Sequence, residues 1–435
     1  LSPLNVVTAI AVLGVMIDVG TGKLKTLRSP QFPFLFAFFA WCFIATTVKV
    51  GMGEALELKS LAFPLIYMLL VMYAASSFEK FRAMAGVLLA LALCLAAIGV
   101  KQSAAEFECI VVETDEHGYA DDASVGEPNG VPCDNPRDCA KEANDFKTDF
   151  LCEKPGLFQT FSIGHGRVRY RGTLADPNEL SLAIGAGLSF AFAFHASSKR
   201  GIRHILLLLA VALATKCVIE TQSRGGVLVL LAIFGTYFVK RYGAKGFILA
   251  AVFGSPVLLL GGRSGEEAEA SALERLGALY EGCDFVRQTP IFGLGAQQFG
   301  ENYFITAHNS YLLAAAELGI PGMIIWTSLV YVSIKTCWVV ATQEVPGMDQ
   351  RLVPYAFALL TSFAGILIGI FFLSFCYHPL LFIYFGMSGG LYLSAKKSAP
   401  DFKIPVSKKE ILAIAILDGV LLMVLFVYTR IKGSP

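Results

Sequence analysis

Apolar runs of about 17 to 25 residues recur from one end of this chain to the other, and no other feature limits its possible folds as strongly. A bilayer with a hydrocarbon core of about 30 Å calls for helices of that length, because in lipid each backbone polar group must be satisfied within its own segment. Such runs lie at about 4–20, 33–50, 60–76, 84–100, 178–195, 202–220, 224–240, 245–262, 319–342, 352–375, 377–395 and 409–430. They predict an all-α polytopic integral membrane protein with about 12 transmembrane helices and two long loops, about 101–177 and 263–318. Charged residues make up 16% of the 435, against about 25% in a soluble domain. The net charge of +1 supplies no global field for nucleic acid. The bilayer is the expected partner, and nucleic acid is not.

Basic connections set the expected sidedness. Lys23, Lys25 and Arg28 follow the first run, Lys80 and Arg82 the third, Lys199, Arg200 and Arg203 the fifth, and Lys240, Arg241 and Lys245 the seventh; Lys396, Lys397, Lys403, Lys408 and Lys409 precede the last. The positive-inside rule assigns these to the cytoplasm and both long loops to the opposite face. The same count places both chain ends outside, against the preference of Arg430 and Lys432. Five regions follow: helices over 1–100, a loop with an insert over 101–177, helices over 178–262, a second loop over 263–318, and helices over 319–435.

Four of the ten cysteines, Cys109, Cys133, Cys139 and Cys152, fall in the first loop, within an acidic stretch rich in Pro, Gly and Asn. They predict two disulfides stapling a small insert in an oxidising compartment, with the pairing open. The spacing does not suit a zinc site or an EF-hand, so no metal is assigned.

Three short polar stretches could carry chemistry. Arg167, Arg169 and Arg171 precede Asp176-Pro177-Asn178-Glu179, in which Asp176 is a natural N-cap and Pro177 fits the first helical position. The arginines stand against the positive-inside bias and suit lipid head groups or an anionic substrate. In Ser223-Arg224-Gly225-Gly226, Ser223 can cap a helix and place Arg224 in its first turn, where the dipole opposes a cation unless an anion binds; pairing with Glu220, or snorkelling to head groups, is the plainer reading. The second loop carries Arg263, Arg275 and Arg287 before Ala307-His308-Asn309-Ser310 and Glu317-Leu318-Gly319-Ile320-Pro321-Gly322. Its stretch 271–280 predicts a short amphipathic helix on the membrane.

Taken in order, Arg171-Gly172 with Asp176-Pro177-Asn178, then Ser223-Arg224-Gly225 with Leu228, form the first half of a recognisable set. Arg275 with Pro290, Gly293-Leu294-Gly295 and Phe299, then His308-Asn309 with Glu317-Leu318-Gly319 and Gly322, complete it. The set resembles the bacterial O-antigen ligase and Wzy-type polymerase family, in detail over about 160–325. The cysteine-bearing insert departs from the usual members. The resemblance implies a GT-C-like membrane glycosyltransferase of the bacterial inner membrane, with its site facing the periplasm and no metal or cofactor. Its donor would be a glycan on undecaprenyl diphosphate. Its acceptor would be lipid A core for a ligase, or another lipid-linked glycan for an O-antigen or exopolysaccharide polymerase. Arg224 and Arg275, with Arg263 as a second candidate, would hold the diphosphate, and His308 would serve the acceptor hydroxyl or the leaving group.

The residue chemistry fits that assignment. Guanidinium matches phosphate bidentately, and histidine's ordinary pKa of about 6.5 suits a general base. Asp176 and Glu317 are rival bases, Glu317 more readily read as holding a helix start; Arg171 and Asn309 are secondary candidates. No Asp-x-Asp pair stands in the second loop, in keeping with metal-free chemistry. The alternative class is a transporter or flippase of anionic polyprenyl-linked lipids. It would need the cations without a base, and paired repeats, its common sign, are not evident.

Overall fold

Helices stand where the apolar runs predict them, since only internal hydrogen bonds satisfy a backbone in lipid. The structure, a computed structural model, describes residues 3–22, 28–113, 124–139, 148–164, 166–246, 248, 252 and 266–432. In chain order the helices are α1 (Pro3–Gly20), α2 (Phe32–Lys49), α3 (Met52–Glu57), α4 (Ala62–Ala74), α5 (Phe78–Ser103), α6 (Pro136–Cys139), α7 (Pro177–Ser197) and α8 (Arg203–Glu220). After these come α9 (Arg224–Tyr242), α10 (Glu266–Gln288), α11 (Phe299–Asn302), α12 (Ser310–Thr342), α13 (Val353–Gly369), α14 (Pro379–Ser398) and α15 (Lys408–Lys432).

Among the described residues, eight helical segments are long and apolar enough to cross a membrane: Phe32–Lys49, Met52–Ala74, Phe78–Ser103, Pro177–Ser197, Arg224–Tyr242, Ser310–Thr342, Gln350–Gly369 and Lys408–Lys432. Helices also stand at three more predicted spans, as α1, α8 and α14; most of the predicted span 245–262 lies outside the described residues. The protein is a mostly helical, multi-pass membrane protein.

The first loop carries strands beside its short helix α6: β1 (Glu108–Glu113), β2 (Glu127–Pro132) and β3 (Thr148–Glu153) form an antiparallel sheet in the order β2-β1-β3. Two expected spans have other bounds. The span expected from 319 starts at Ser310 and kinks at Gly319 (φ 70°, ψ 177°), because Asn309 caps an apolar stretch that can itself be buried. The span expected over 352–375 stops at Gly369, and the residues after it break away to bind the His308 segment.

The chain divides into two compact units, one of Leu1–Gly86, Ser264–Phe363 and Ile370–Pro435, the other of Val87–Arg263 and Ala364–Gly369. In the first unit, side-chain bonds tie several helices together at each end. Toward one end, Ser60 Oγ before α4 donates to Gln297 Oε1 (2.8 Å), and Thr46 Oγ1 near the end of α2 accepts the Ala296 N–H (2.9 Å). Toward the other, Gln31 before α2 donates to Ser388 in α14 (3.0 Å), and Lys335 in α12 pairs with Glu410 in α15 (2.5 Å). Helix α15 therefore runs antiparallel to α12. Its last turn reaches α10, where Arg430 donates to the Tyr280 hydroxyl (2.6 Å), lies 4.6 Å over that ring and stands 3.7 Å from Asp284. The end of α15 is thus on the side of the second loop, where these partners satisfy its arginine.

In the second unit α7 is buried almost all round, from Leu180 to Ala193. Small residues make this possible. A Cβ on Gly187 would lie 2.5 Å from Ala92 Cβ and 2.9 Å from the Leu88 carbonyl oxygen, so α5 and α7 approach at backbone distance. The sheet closes over Ile110, Val112 and Phe161 on one cluster and over its cysteines on another. The disulfides join Cys109 to Cys139 and Cys133 to Cys152.

Candidate functional site

In the second unit the Asp176-Pro177-Asn178 and Ser223-Arg224-Gly225 motifs meet. Asp176 Oδ1 accepts the Asn178 N–H (2.6 Å) and its side-chain amide (2.7 Å), which caps α7 and orients Asn178. Asn178 Oδ1 then accepts from the Ser223 hydroxyl, while Ser223 Oγ takes the Gly226 N–H (2.8 Å) and caps α9. A Cβ on Gly226 would come within 2.4 Å of Ser181 Cβ, so the first turn of α9 packs on α7 only because that residue is glycine. Arg224 consequently begins α9 with its side chain exposed. Glu220, the partner a plainer reading would give it, pairs with Lys216 (2.8 Å).

The three upstream arginines do not act alike. Arg167 and Arg169 are 7% and 5% exposed. Arg167 donates to the Thr221 carbonyl (3.2 Å), while Arg169 donates to the Phe161 carbonyl (3.1 Å) and lies 4.5 Å over that ring. Arg167 binds the insert to the α8–α9 turn, Arg169 binds within the insert, and neither is available to head groups. Arg171 is exposed, with one nitrogen 3.4 Å from the Phe158 carbonyl oxygen.

In the first unit the remaining motifs also pair. The kink in α12 frees carbonyl groups, and the Pro290–Gly295 turn takes them: the Leu294 N–H bonds Ala316 O and the Gly295 N–H bonds Glu317 O (both 2.9 Å). Ile320 N–H returns to Pro290 O (2.8 Å), and Trp41, stacked on Phe292 at 5.6 Å, donates to Leu318 O (2.8 Å). A Cβ on Gly319 would sit 2.1 Å from the Ile291 carbonyl oxygen, and one on Gly293 2.3 Å from the Glu317 carbonyl carbon. Both glycines have positive φ. Glu317, 2% exposed, accepts the N–H groups of Gln297 and Phe299 (both 2.9 Å). Its carboxylate secures the turn that starts α11, as a structural reading expects, and both its oxygens are engaged there.

His308 lies just before α12 with φ 48°, a left-handed conformation in which histidine is more common than most side chains. Its N–H bonds Ser374 Oγ (3.0 Å), which also takes the Thr306 hydroxyl (2.8 Å). Asn309, 1% exposed, caps α12 through the Leu312 N–H (2.9 Å) and donates to Phe371 O (3.1 Å). Ser310 N–H reaches Ile370 O (2.9 Å), its hydroxyl reaches Leu373 O (2.6 Å), and that hydroxyl accepts the Phe375 N–H (2.8 Å). The half-buried histidine is therefore carried on a backbone held from both sides.

Helix α10 is longer than the predicted 271–280 segment. Arg275 on it is half-buried and forms no ion pair with a described residue. Arg287 is tied to Asp284 (2.8 Å), and Arg263 lies outside the described residues. Burial pushes the Cys283 thiol on the same helix up to about 11, which keeps it protonated and unreactive.

Sequence reading missed Ser374, Ser310 and Trp41 as supports. The available signal was a lone serine after the phenylalanines at 371 and 372, inside what read as membrane span.

Residues 209–327 match the O-antigen ligase family model. No curated protein gives a significant match to the chain. The O-antigen ligase match supports the resemblance drawn from the motifs, and with the apolar helices it indicates a membrane enzyme that transfers glycans. It spans Arg224, Arg275, His308 and Glu317, and so covers both paired-motif regions in part.

Proposed function

We propose that this chain is a glycosyltransferase that moves a glycan from undecaprenyl diphosphate to an acceptor sugar hydroxyl on the non-cytoplasmic face of the bacterial inner membrane. The observation that carries the reading is that the O-antigen ligase match includes Arg224, Arg275 and His308 together. The acceptor oxygen attacks the anomeric carbon as its proton passes to the His308 imidazole. A new glycosidic C–O bond forms, the anomeric bond to the diphosphate oxygen breaks, and its electron pair leaves on that oxygen. Arg224 and Arg275 stabilise the departing charge, which is where preorganised cations contribute most. The diphosphate is already a good leaving group, so positioning supplies much of the remaining acceleration. Arg171 serves as a guiding cation. Asp176, Asn309 and Glu317 act on the backbone around the reacting groups.

The test uses purified protein in liposomes, given an undecaprenyl-diphosphate oligosaccharide from the native host with and without rough lipopolysaccharide. A ladder of growing glycans without the second acceptor identifies a polymerase, and a single shift onto lipopolysaccharide identifies a ligase. His308→Ala abolishes either product while the protein stays in the membrane. Absence of product from the wild type, with labelled lipid crossing the bilayer, overturns the reading in favour of transport.

A further inference from the structure

The first-loop insert leaves an aromatic ring exposed at a conformational cost. Phe158 and Gln159 are consecutive, both have φ 61°, and Phe158 is 64% exposed. A single exposed apolar side chain is ordinary. A bulky residue in the left-handed region is not, since its Cβ crowds the following carbonyl, and strain of this kind gathers where a side chain must be presented.

The surrounding bonds determine the turn. Gly126 N–H bonds Gln159 O (2.9 Å), Gly156 N–H bonds Thr160 O (2.6 Å), and the Thr160 hydroxyl bonds Leu157 O (2.8 Å). Thr160 and Phe161 point inward, each 1% exposed. Gly156 has no alternative, because a Cβ there would lie 2.3 Å from Thr160 Oγ1. Phe158 is thereby turned outward while its neighbours anchor the tip.

The tip also carries polar groups. Gln159 donates to Glu127 Oε1 (2.7 Å), and Arg171 reaches the Phe158 carbonyl (3.4 Å); all three side chains are exposed. An exposed aromatic ring on a tip that also carries an amide, a carboxylate and a guanidinium suits a pyranose, whose C–H face packs on a ring while its hydroxyls bond polar groups. A lipid-inserting tip would instead add apolar neighbours, and here Leu157 is half-buried and Gln159 polar. The segment that follows the tip is bonded to the α8–α9 turn that precedes Arg224: Val168 N–H bonds Glu220 O (3.1 Å) and Arg167 bonds Thr221 O (3.2 Å).

We infer that the Phe158–Gln159 tip is a sugar-binding subsite, in which Phe158 stacks on a ring of the glycan and Gln159, Glu127 and Arg171 bond its hydroxyls. The inference rests on the transferase reading for its ligand class. The same chemistry serves a donor or an acceptor glycan, and the assay separates them.

Phe158→Ala, Phe158→Leu and Phe158→Trp are compared in the full-length protein in liposomes. Ala and Leu raise KM for one glycan substrate about tenfold with kcat within about twofold, and Trp restores it. The substrate whose KM rises names the source. Unchanged KM in Ala, or wild-type KM in Leu, overturns the subsite, the latter pointing to an apolar anchor. If the wild type transfers nothing, the transferase reading fails on its own account. Phe158→Trp fluorescence is then titrated with the oligosaccharide released from the host's lipid-linked donor by mild acid. Saturable quenching sustains the subsite, and its absence refutes it.

Discussion

Glu317→Ala removes two hydrogen-bond acceptors from a buried position. The Gln297 and Phe299 N–H groups each lie 2.9 Å from its carboxylate, and Phe299 is 1% exposed. A hydrogen bond to a charged acceptor contributes about 1.5–3 kcal/mol, so two at the lower end contribute about 3 kcal/mol to holding this turn closed. At about 1.4 kcal/mol per factor of ten, that corresponds to roughly a hundredfold more opening of the segment. Glu317→Gln keeps one acceptor and turns an NH2 toward the other amide, so it gives about half the effect, roughly tenfold. Hydrogen exchange of peptides covering 294–302, in detergent-solubilised protein, reads this directly because local opening sets the rate. Exchange in Glu317→Ala within about threefold of wild type, together with lost transfer by both variants, would refute the reasoning. It would make Glu317 a base and not a support.

Three further outcomes follow from the same geometry. Gly319→Ala places a Cβ 2.1 Å from the Ile291 carbonyl in a conformation essentially confined to glycine; folded yield in detergent falls sharply, whereas Gly14→Ala, with nothing within 4 Å, leaves it unchanged. Asn309→Ala loses the α12 cap and the bond to Phe371 O, lowering stability by about 1 kcal/mol in thermal unfolding and reducing turnover through His308. Arg224→Lys keeps the charge and loses the planar fork, so donor KM rises about tenfold at unchanged thermal stability.

The two paired-motif regions have a common logic. In each, a glycine lets one helix or turn approach another closely, and a side-chain acceptor holds the amides that the approach leaves in need of partners. Gly226 and Ser223 do this beside Arg224, as Gly319, Gly293 and Glu317 do in the unit that carries His308. Motif residues that resemble catalytic candidates therefore divide into those that are presented and those that present them.

The sequence alone determined the membrane class, since length and apolarity are sufficient to require helices in lipid. It also determined the capping by Asp176 and Ser223, which depends on residues only a few positions apart. The family resemblance was legible too, because the order of motifs is a property of the chain as written, and the family match covers the part of it within residues 209–327. Tertiary structure decided what depends on distant residues. The disulfide pairing, the burial of Arg167 and Arg169, and the pinning of His308 by Ser374 all join segments that sequence spacing does not relate. The early break at Gly369 belongs with these: Ile370 to Phe375 read as membrane span by hydropathy, but they leave the helix because their backbone groups find better-defined partners in Asn309 and Ser310.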